Sequence, residues 1–277
     1  MIAPASEISI RSCSICGSNN CSLKYRVDHF RIVKCRNCGF VYLQNPHTVT
    51  ADEATYQEYF SNAAAMAALP DNDSSISATA WNIYYRRIDL IKKIKPVGRL
   101  LEIGCGRGYF LSLAQKNGYS VQGIEIASDA ARYAREKFKV KVQTGNMENM
   151  QIPAVRYDII TLWHVLEHFY DPLSVLYKLY NMLEENGYLL IEVPNLNSIK
   201  FRLANDGNRW VGGNHPRYHL SFFTFNSLAR ILLHSGFRNM KLLTIDYSSA
   251  RYSGKSLVKK ALYKVNMDSF LTVLVRK

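Results

Sequence analysis

From residue 97 onward the chain repeats one pattern: a short apolar run, a turn, then a longer stretch with apolar residues at helical spacing. The runs are Arg99–Ile103, Val121–Ile126, Val140–Thr144, Tyr157–Trp163 and Tyr188–Val193, each of strand length. Strands alternating with helices predict a parallel sheet with helices on both faces. Two more apolar strands, near 240–247 and 269–275, follow. Upstream, Ile83, Arg87 and Leu90–Ile91 mark an amphipathic helix over 76–95 that Pro96 stops. Residues 53–68 are alanine-rich and predict a further helix, followed by a loop at Pro70–Ser75.

The first of these strands runs into a glycine turn, Leu-Leu-Glu-Ile-Gly-Cys-Gly-Arg-Gly at 100–108. Gly104, Gly106 and Gly108 let the backbone turn sharply and come close to a ligand. Glu102 precedes the turn, and Glu125 closes the next strand about 20 residues on, where a carboxylate reaches ribose hydroxyls. A dinucleotide fits poorly. The sixth position of its fingerprint is Tyr109 rather than glycine, and Glu102 would repel phosphates. S-adenosylmethionine carries no phosphate, and its ammonium suits Glu102 as its ribose suits Glu125.

Six segments in order, LLEIGCGRG, GIEIA, TGNMENM, YDIITLWHVLEH, NGYLLIEVPN and HLSFFTFNSLARILLHSGF, resemble the class I S-adenosylmethionine-dependent methyltransferases over residues 76–277. The resemblance implies an α/β, Rossmann-like, doubly wound sheet of seven mostly parallel strands, the last antiparallel. It assigns Glu102, Gly104, Cys105, Gly106, Gly108, Glu125, Ile126, Asn146, Met147, Glu148 and His164 to the cofactor. Cys105 is expected to face the cofactor as a small side chain, and His164 to lie near its methionine end. Asn146 replaces the family's usual Asp against adenine and is expected to accept through its side-chain oxygen.

Cys13-x2-Cys16 and Cys35-x2-Cys38 stand apart from this pattern, 18 residues separating the pairs. That spacing is a zinc pattern, with Gly17 and Gly39 placed for tight knuckles and a short hairpin expected over Leu23–Val33. Four thiolates on one structural Zn²⁺ would supply the folding energy that so small a segment lacks. Four sulfur ligands leave no open position for catalysis, and disulfides are disfavoured in a chain without a secretory signal. The expected organisation is a zinc ribbon at 1–46, a helical linker or lid at 47–96, and a methyltransferase domain at 97–277.

His-Val-Leu-Glu-His at 164–168 matches a zinc-peptidase pattern, but that chemistry needs a helix. Here the residues follow a strand, and Asp171-Pro172 opens the next helix as N-cap and first position. They therefore occupy the loop at the sheet's carboxyl edge, where such sheets bind ligands. His168 is expected to act as base or to orient the acceptor, with Glu167 as its partner or as a hydrogen-bond acceptor for the substrate. The stretch 195–223, with Trp210, Gly212-Gly213, His215, Tyr218 and His219, is long for a connection. It is expected to cover the acceptor, hinged at Gly212-Gly213, with His215, Tyr218 and His219 contacting substrate.

Net charge is +13, spread along the chain with a modest concentration at 251–264. It suits anionic partners, above all nucleotide-linked small molecules. No apolar stretch is long enough to span a membrane, the N-terminus has no signal region, and a cytoplasmic location is expected. Residues 255–265 place Leu257, Val258, Ala261, Leu262 and Val265 on one helical face; docking on the sheet edge competes with weak peripheral membrane contact. The ribbon, the glycine turn and the Glu-His pair together resemble bacterial sugar, polysaccharide and secondary-metabolite methyltransferases. Methyl transfer to a nucleotide sugar or a glycan or secondary-metabolite precursor is the expected activity. An RNA methyltransferase reading through the ribbon is the alternative, though no aromatic-interleaved basic stripe supports nucleic-acid binding. A non-enzymatic protein, with the ribbon as a docking module on a cofactor-binding scaffold, is a third reading.

Overall fold

The computed structural model describes residues 10–46, 78–152, 154–204, 215–243, 245 and 269–277. The expected helix at 53–68, the 255–265 segment, Trp210 and the Gly212-Gly213 hinge lie outside the described residues.

The helix α1 (Ala78–Ile94) is followed by alternating elements: β4 (Arg99–Ile103), α2 (Tyr109–Lys116), β5 (Ser120–Glu125), α3 (Ser128–Phe138), β6 (Lys141–Thr144) and β7 (Tyr157–Trp163). Then come α4 (Pro172–Met182), β8 (Leu183–Pro194), α5 (Ile199–Leu203), β9 (Ser221–Phe222), α6 (Phe225–His234), β10 (Arg238–Leu243) and β11 (Phe270–Arg276). Three strands precede them: β1 (Cys21–Val27), β2 (Phe30–Cys35) and β3 (Val41–Leu43).

The large sheet has seven strands in the order β10-β11-β8-β7-β4-β5-β6. Pairing is parallel from β8 to β6, while β11 runs antiparallel to both β8 and β10. Strand alternation sends neighbouring residues to opposite faces. Leu101, Ile103, Ile160 and Leu162 meet α4 and α6, whereas Leu100 and Ile159 meet α1, α2 and α3. Both faces are dry, each fully buried Leu or Ile contributing about 1.5–3 kcal/mol. The strand expected at Tyr188–Val193 begins at Leu183, because Leu183 pairs with Tyr157 ahead of an irregularity that precedes the Tyr188–Ile159 pair.

The expected hairpin forms as β1 and β2, turning at Asp28 with φ 52°. The small sheet has the order β1-β2-β3-β9, so its outer strand comes from residues 221–222. Phe40, Tyr42, Cys13 and Cys35 share one core with Leu166, Phe169 and Phe223. The cysteine ribbon is thus built into the larger body. Among the described residues, no helix is long and apolar enough to cross a membrane.

Candidate active site

The glycine turn follows β4, and all three glycines have left-handed backbone, with φ of 66°, 52° and 77° at Gly104, Gly106 and Gly108. Each is glycine for a different reason. A Cβ on Gly104 would meet Val165 Cγ2 at 2.6 Å, and one on Gly108 would meet Ala134 Cβ at 2.7 Å. At Gly106 nothing lies within 4 Å, so this backbone faces open space. Gly104 N donates to Ile124 O (2.8 Å), holding the turn over the end of β5.

Glu125 ends β5 beneath the turn and is 3% exposed. Its carboxylate accepts from the amides of Gly106 (2.7 Å) and Ala127 (2.9 Å). Burial raises its pKa against the pull of those amides. Two oxygens with about four acceptor positions leave room for ribose hydroxyls. Glu102 is buried, and its Oε2 meets no hydrogen-bond donor. Burial holds its pKa well above the ordinary carboxylate range; Arg87 opposes that shift and Glu125 adds to it. A buried acceptor without a donor beside an open glycine turn fits a ligand bearing an ammonium. Tyr84 and Arg87 of α1 are close enough to sense the Glu102 charge.

Four residues assigned to the cofactor by resemblance are also engaged within the chain itself. Cys105 turns its thiol into the core, where a Cβ on Gly123 would meet Sγ at 2.5 Å, because only a glycine on β5 leaves space there. Asn146 Oδ1 accepts from Glu148 N (2.9 Å), so the oxygen expected to face adenine closes its own turn. Met147 is buried in the core, and the Glu148 carboxylate accepts from Asp171 N (2.7 Å). Ile126 is half-buried just after Glu125.

Beyond β7 the chain enters His164 with φ 59° and forms one short turn at Leu166–His168 before Asp171 caps α4. His164 does not stand alone toward a ligand. Its Nε2 lies 3.2 Å from Glu192 Oε1, its Nδ1 3.7 Å from Glu167 Oε1, and its amide donates to Glu192 O (2.8 Å). Burial alone would lower its pKa, but the two carboxylates raise it to about 9. Glu192, on β8, also takes Arg87 Nη2 (2.8 Å) and Thr272 Oγ1 (2.8 Å). Two buried carboxylates therefore face two cations, the arrangement that makes buried charge tolerable.

Glu167 is 1% exposed, and among the described residues neither carboxylate oxygen has a hydrogen-bond donor. Burial pushes its pKa up, but the cationic His164 beside it outweighs that and holds the group below the ordinary carboxylate value. His168 Nδ1 lies 2.7 Å from Tyr218 O. A carbonyl only accepts, so Nδ1 carries a proton. The His219 ring meets that of His168 at 4.8 Å, edge to face, and its Nε2 is 4.0 Å from Glu167 Oε1. Burial above all lowers the His219 pKa to about 3, so it stays neutral. Ligand atoms of Glu167, His168 and His219 lie within 4.8 Å of one another, close enough for a shared proton or cation.

His219 also lines a recess of about 290 Å³, its open mouth included, with Asn195, Leu196, Phe201 and Phe222. His215 sits elsewhere. It faces Asp28 (3.7 Å) and the Phe30 ring (5.8 Å) on the hairpin, a seam between ribbon and loop. Sequence reasoning missed Arg87, Glu192, Thr272 and Arg11, whose partners lie far away along the chain.

The thiols of Cys13, Cys16, Cys35 and Cys38 lie within 4.8 Å of one another, with Cys13–Cys38 at 3.4 Å and Cys16–Cys35 at 3.5 Å. Tetrahedral Zn–S bonds of about 2.3 Å put sulfurs nearly 4 Å apart, so the set fits zinc. Gly17 N and Gly39 N return to Cys13 O and Cys35 O (2.8 and 3.0 Å), closing the two knuckles. Burial raises the Cys35 thiol, but the amides of Cys38 and Asn37 bring it down to about 7, while burial drives Cys38 up to about 11. Four such thiols ionise together only around a cation.

Residues 82–242 match the family model described as a methyltransferase domain. A ubiquinone biosynthesis O-methyltransferase of Albidiferax ferrireducens is 28% identical over 141 residues, 47% of this chain and 56% of that protein. A probable S-adenosylmethionine-dependent methyltransferase of Mycolicibacterium smegmatis is 25% identical over 41% of this chain and 46% of its own length. The chain thus spans about half the length of the curated relatives it matches. Among solved structures, a SAM-dependent methyltransferase from Archaeoglobus fulgidus aligns over 70% of this chain and 93% of its own, with TM-score 0.53 and 22% identity. The plantazolicin methyltransferase BpumL in complex with SAH aligns over 82% of this chain and 95% of its own, at TM-score 0.55 and 18% identity. By its glycine turn, its strand order and this match, the chain belongs to the class I S-adenosylmethionine-dependent methyltransferase family.

Proposed function

We propose that the protein transfers a methyl group from S-adenosylmethionine to a small-molecule acceptor, a nucleotide sugar or a glycan or secondary-metabolite precursor. The observation that carries this is the cluster of Glu167, His168 and His219 on the same sheet edge as Glu102, Gly106 and Glu125. When bound, the cofactor supplies a methyl carbon already activated by positive sulfur. Glu102 accepts from its ammonium, and the remaining lone pairs of Glu125 accept from its ribose. His168, with its proton fixed on Nδ1, takes the acceptor's proton at Nε2. The ionised Glu167 stabilises the imidazolium that results. Neutral His219 orients the acceptor at the mouth of the recess, and Leu196, Phe201 and Phe222 exclude water there.

The relative named for ubiquinone biosynthesis supports a small organic acceptor. The surplus of +13 suits an acceptor carrying phosphate. Four cysteines hold a structural zinc in this reading.

Purified protein, methyl-labelled cofactor and a pool of nucleotide sugars test the assignment against ribosomal RNA offered in parallel. Label is expected in the sugar fraction. His168→Ala should lower its appearance by about a hundredfold or more while SAH affinity is held. Label in RNA instead would move the assignment to nucleic acid, and full activity of the variant would remove His168 as base.

A further inference from the structure

Arg11 stands two residues before the first ribbon cysteine and is 6% exposed. Its side chain serves three separate parts of the chain. Nε donates to Leu43 O (2.7 Å) on β3, Nη1 to Tyr170 O (2.6 Å), and Nη2 to Leu220 O. Its guanidinium carbon lies 5.3 Å from the Tyr42 ring centroid and 5.4 Å from that of Tyr170. Tyr170 is two residues beyond His168, and Leu220 is next to His219. Backbone bonds close the same knot: Leu220 N donates to Glu167 O (2.9 Å) and Leu43 N to Leu220 O (2.9 Å). The His168 Nδ1 bond to Tyr218 O crosses between the two segments that Arg11 holds.

We propose that Arg11 is a positioning residue of the active centre, clamping the two histidine-bearing segments to the ribbon so that His168 keeps its proton on Nδ1. The catalytic meaning of that tautomer rests on the role proposed for His168; the clamp itself does not. A planar fork with donors in fixed directions can serve three carbonyls at once. A lysine ammonium keeps the charge but cannot span the same three directions from one side chain. Among the described residues, Arg11 bonds to Leu43, Tyr170 and Leu220 and not to the cofactor turn at 104–108, so the clamp acts on the acceptor side. The ribbon's contribution to catalysis is therefore mechanical: β3 and Arg11 together form the rigid frame on which the second histidine segment is hung.

The experiment uses full-length, zinc-loaded protein with ¹⁵N-labelled histidine. Long-range nitrogen–proton spectra should show His168 of the natural sequence as the Nδ1–H tautomer. In Arg11→Lys the same residue is expected to average between tautomers, while zinc content holds and SAH affinity stays within about twofold. Adding millimolar guanidinium to Arg11→Ala should return the fixed tautomer. An Arg11→Lys protein that binds SAH and still shows the natural His168 signature would overturn the proposal. So would Arg11→Ala that regains nothing with guanidinium. If Arg11→Lys has lost SAH binding and so its fold, the guanidinium comparison decides. Because tautomer state is read without turnover, failure of His168 as base would leave this test standing and be visible only in the methyl-transfer assay.

Discussion

Glu102 shows how one residue can be both a defect and a site. In the free protein its buried Oε2 has no donor among the described residues, and burial raises its pKa well above the ordinary range. An ammonium placed beside it favours the ionised form and brings the pKa down. Between those two values the free protein holds a proton that the complex does not. Binding therefore releases protons, and affinity rises with pH across that window. Calorimetry of SAH binding over a pH series, in pairs of buffers of different ionisation enthalpy, should show net release of up to about one proton within that window. Glu102→Gln should abolish the release and weaken binding; proton uptake, or no exchange, would reject the ammonium assignment. The same scale shows where sequence reasoning ends. His164 is raised to about 9 between two carboxylates, whereas burial lowers His219 to about 3. Opposite charge states on two identical side chains come from neighbours brought in by the fold, and spacing along the chain carries no trace of them.

Elements were legible in the degree to which their signals are local. β4 and β7 occupy the residues that their apolar runs mark, and Asp171-Pro172 caps α4 with Asp171 Oδ1 accepting from Ser174 N (3.1 Å). The two-residue strand β9 has no periodicity to read, so its pairing with β3 was invisible. Arg11 reaches partners 32, 159 and 209 residues away, and nothing near residue 11 announces them. A similar long-range device supports the loop after β6. Lys178 of α4 donates to the carbonyls of Met147 (3.3 Å), Glu148 and Met150 (3.0 Å). That loop carries Asn146, Met147 and Glu148, assigned to the cofactor by resemblance. Lys178→Met would leave three carbonyls without their cation and let the loop relax. SAH affinity is expected to fall by about tenfold, roughly the cost of one lost charge-assisted bond. Unchanged affinity would mean the loop keeps its shape without α4, or does not touch the cofactor.

At the scale of the whole molecule, the ribbon and the large sheet share structure that two separate modules would not. β9 belongs to the small sheet, yet Leu196 N donates to Phe223 O (2.8 Å) just beyond it, and Asn195 pairs with Phe223 at the end of β8. Cys13, Ile15, Val33 and Phe40 sit in the same core as Leu176, Leu179 and Ile231. Removing the ribbon would expose that core as well as unpair β9. Thermal unfolding is therefore expected as one transition, with calorimetric and van't Hoff enthalpies in agreement. Zinc binds the folded ribbon and so stabilises whatever unfolds with it. Chelation, or Cys35→Ser with Cys38→Ser, should move that single transition to lower temperature as a unit. If chelation instead produced a separate early step while the main transition stayed in place, the ribbon would be an independent module. His219, two residues before β9, would then owe its place to the large sheet alone.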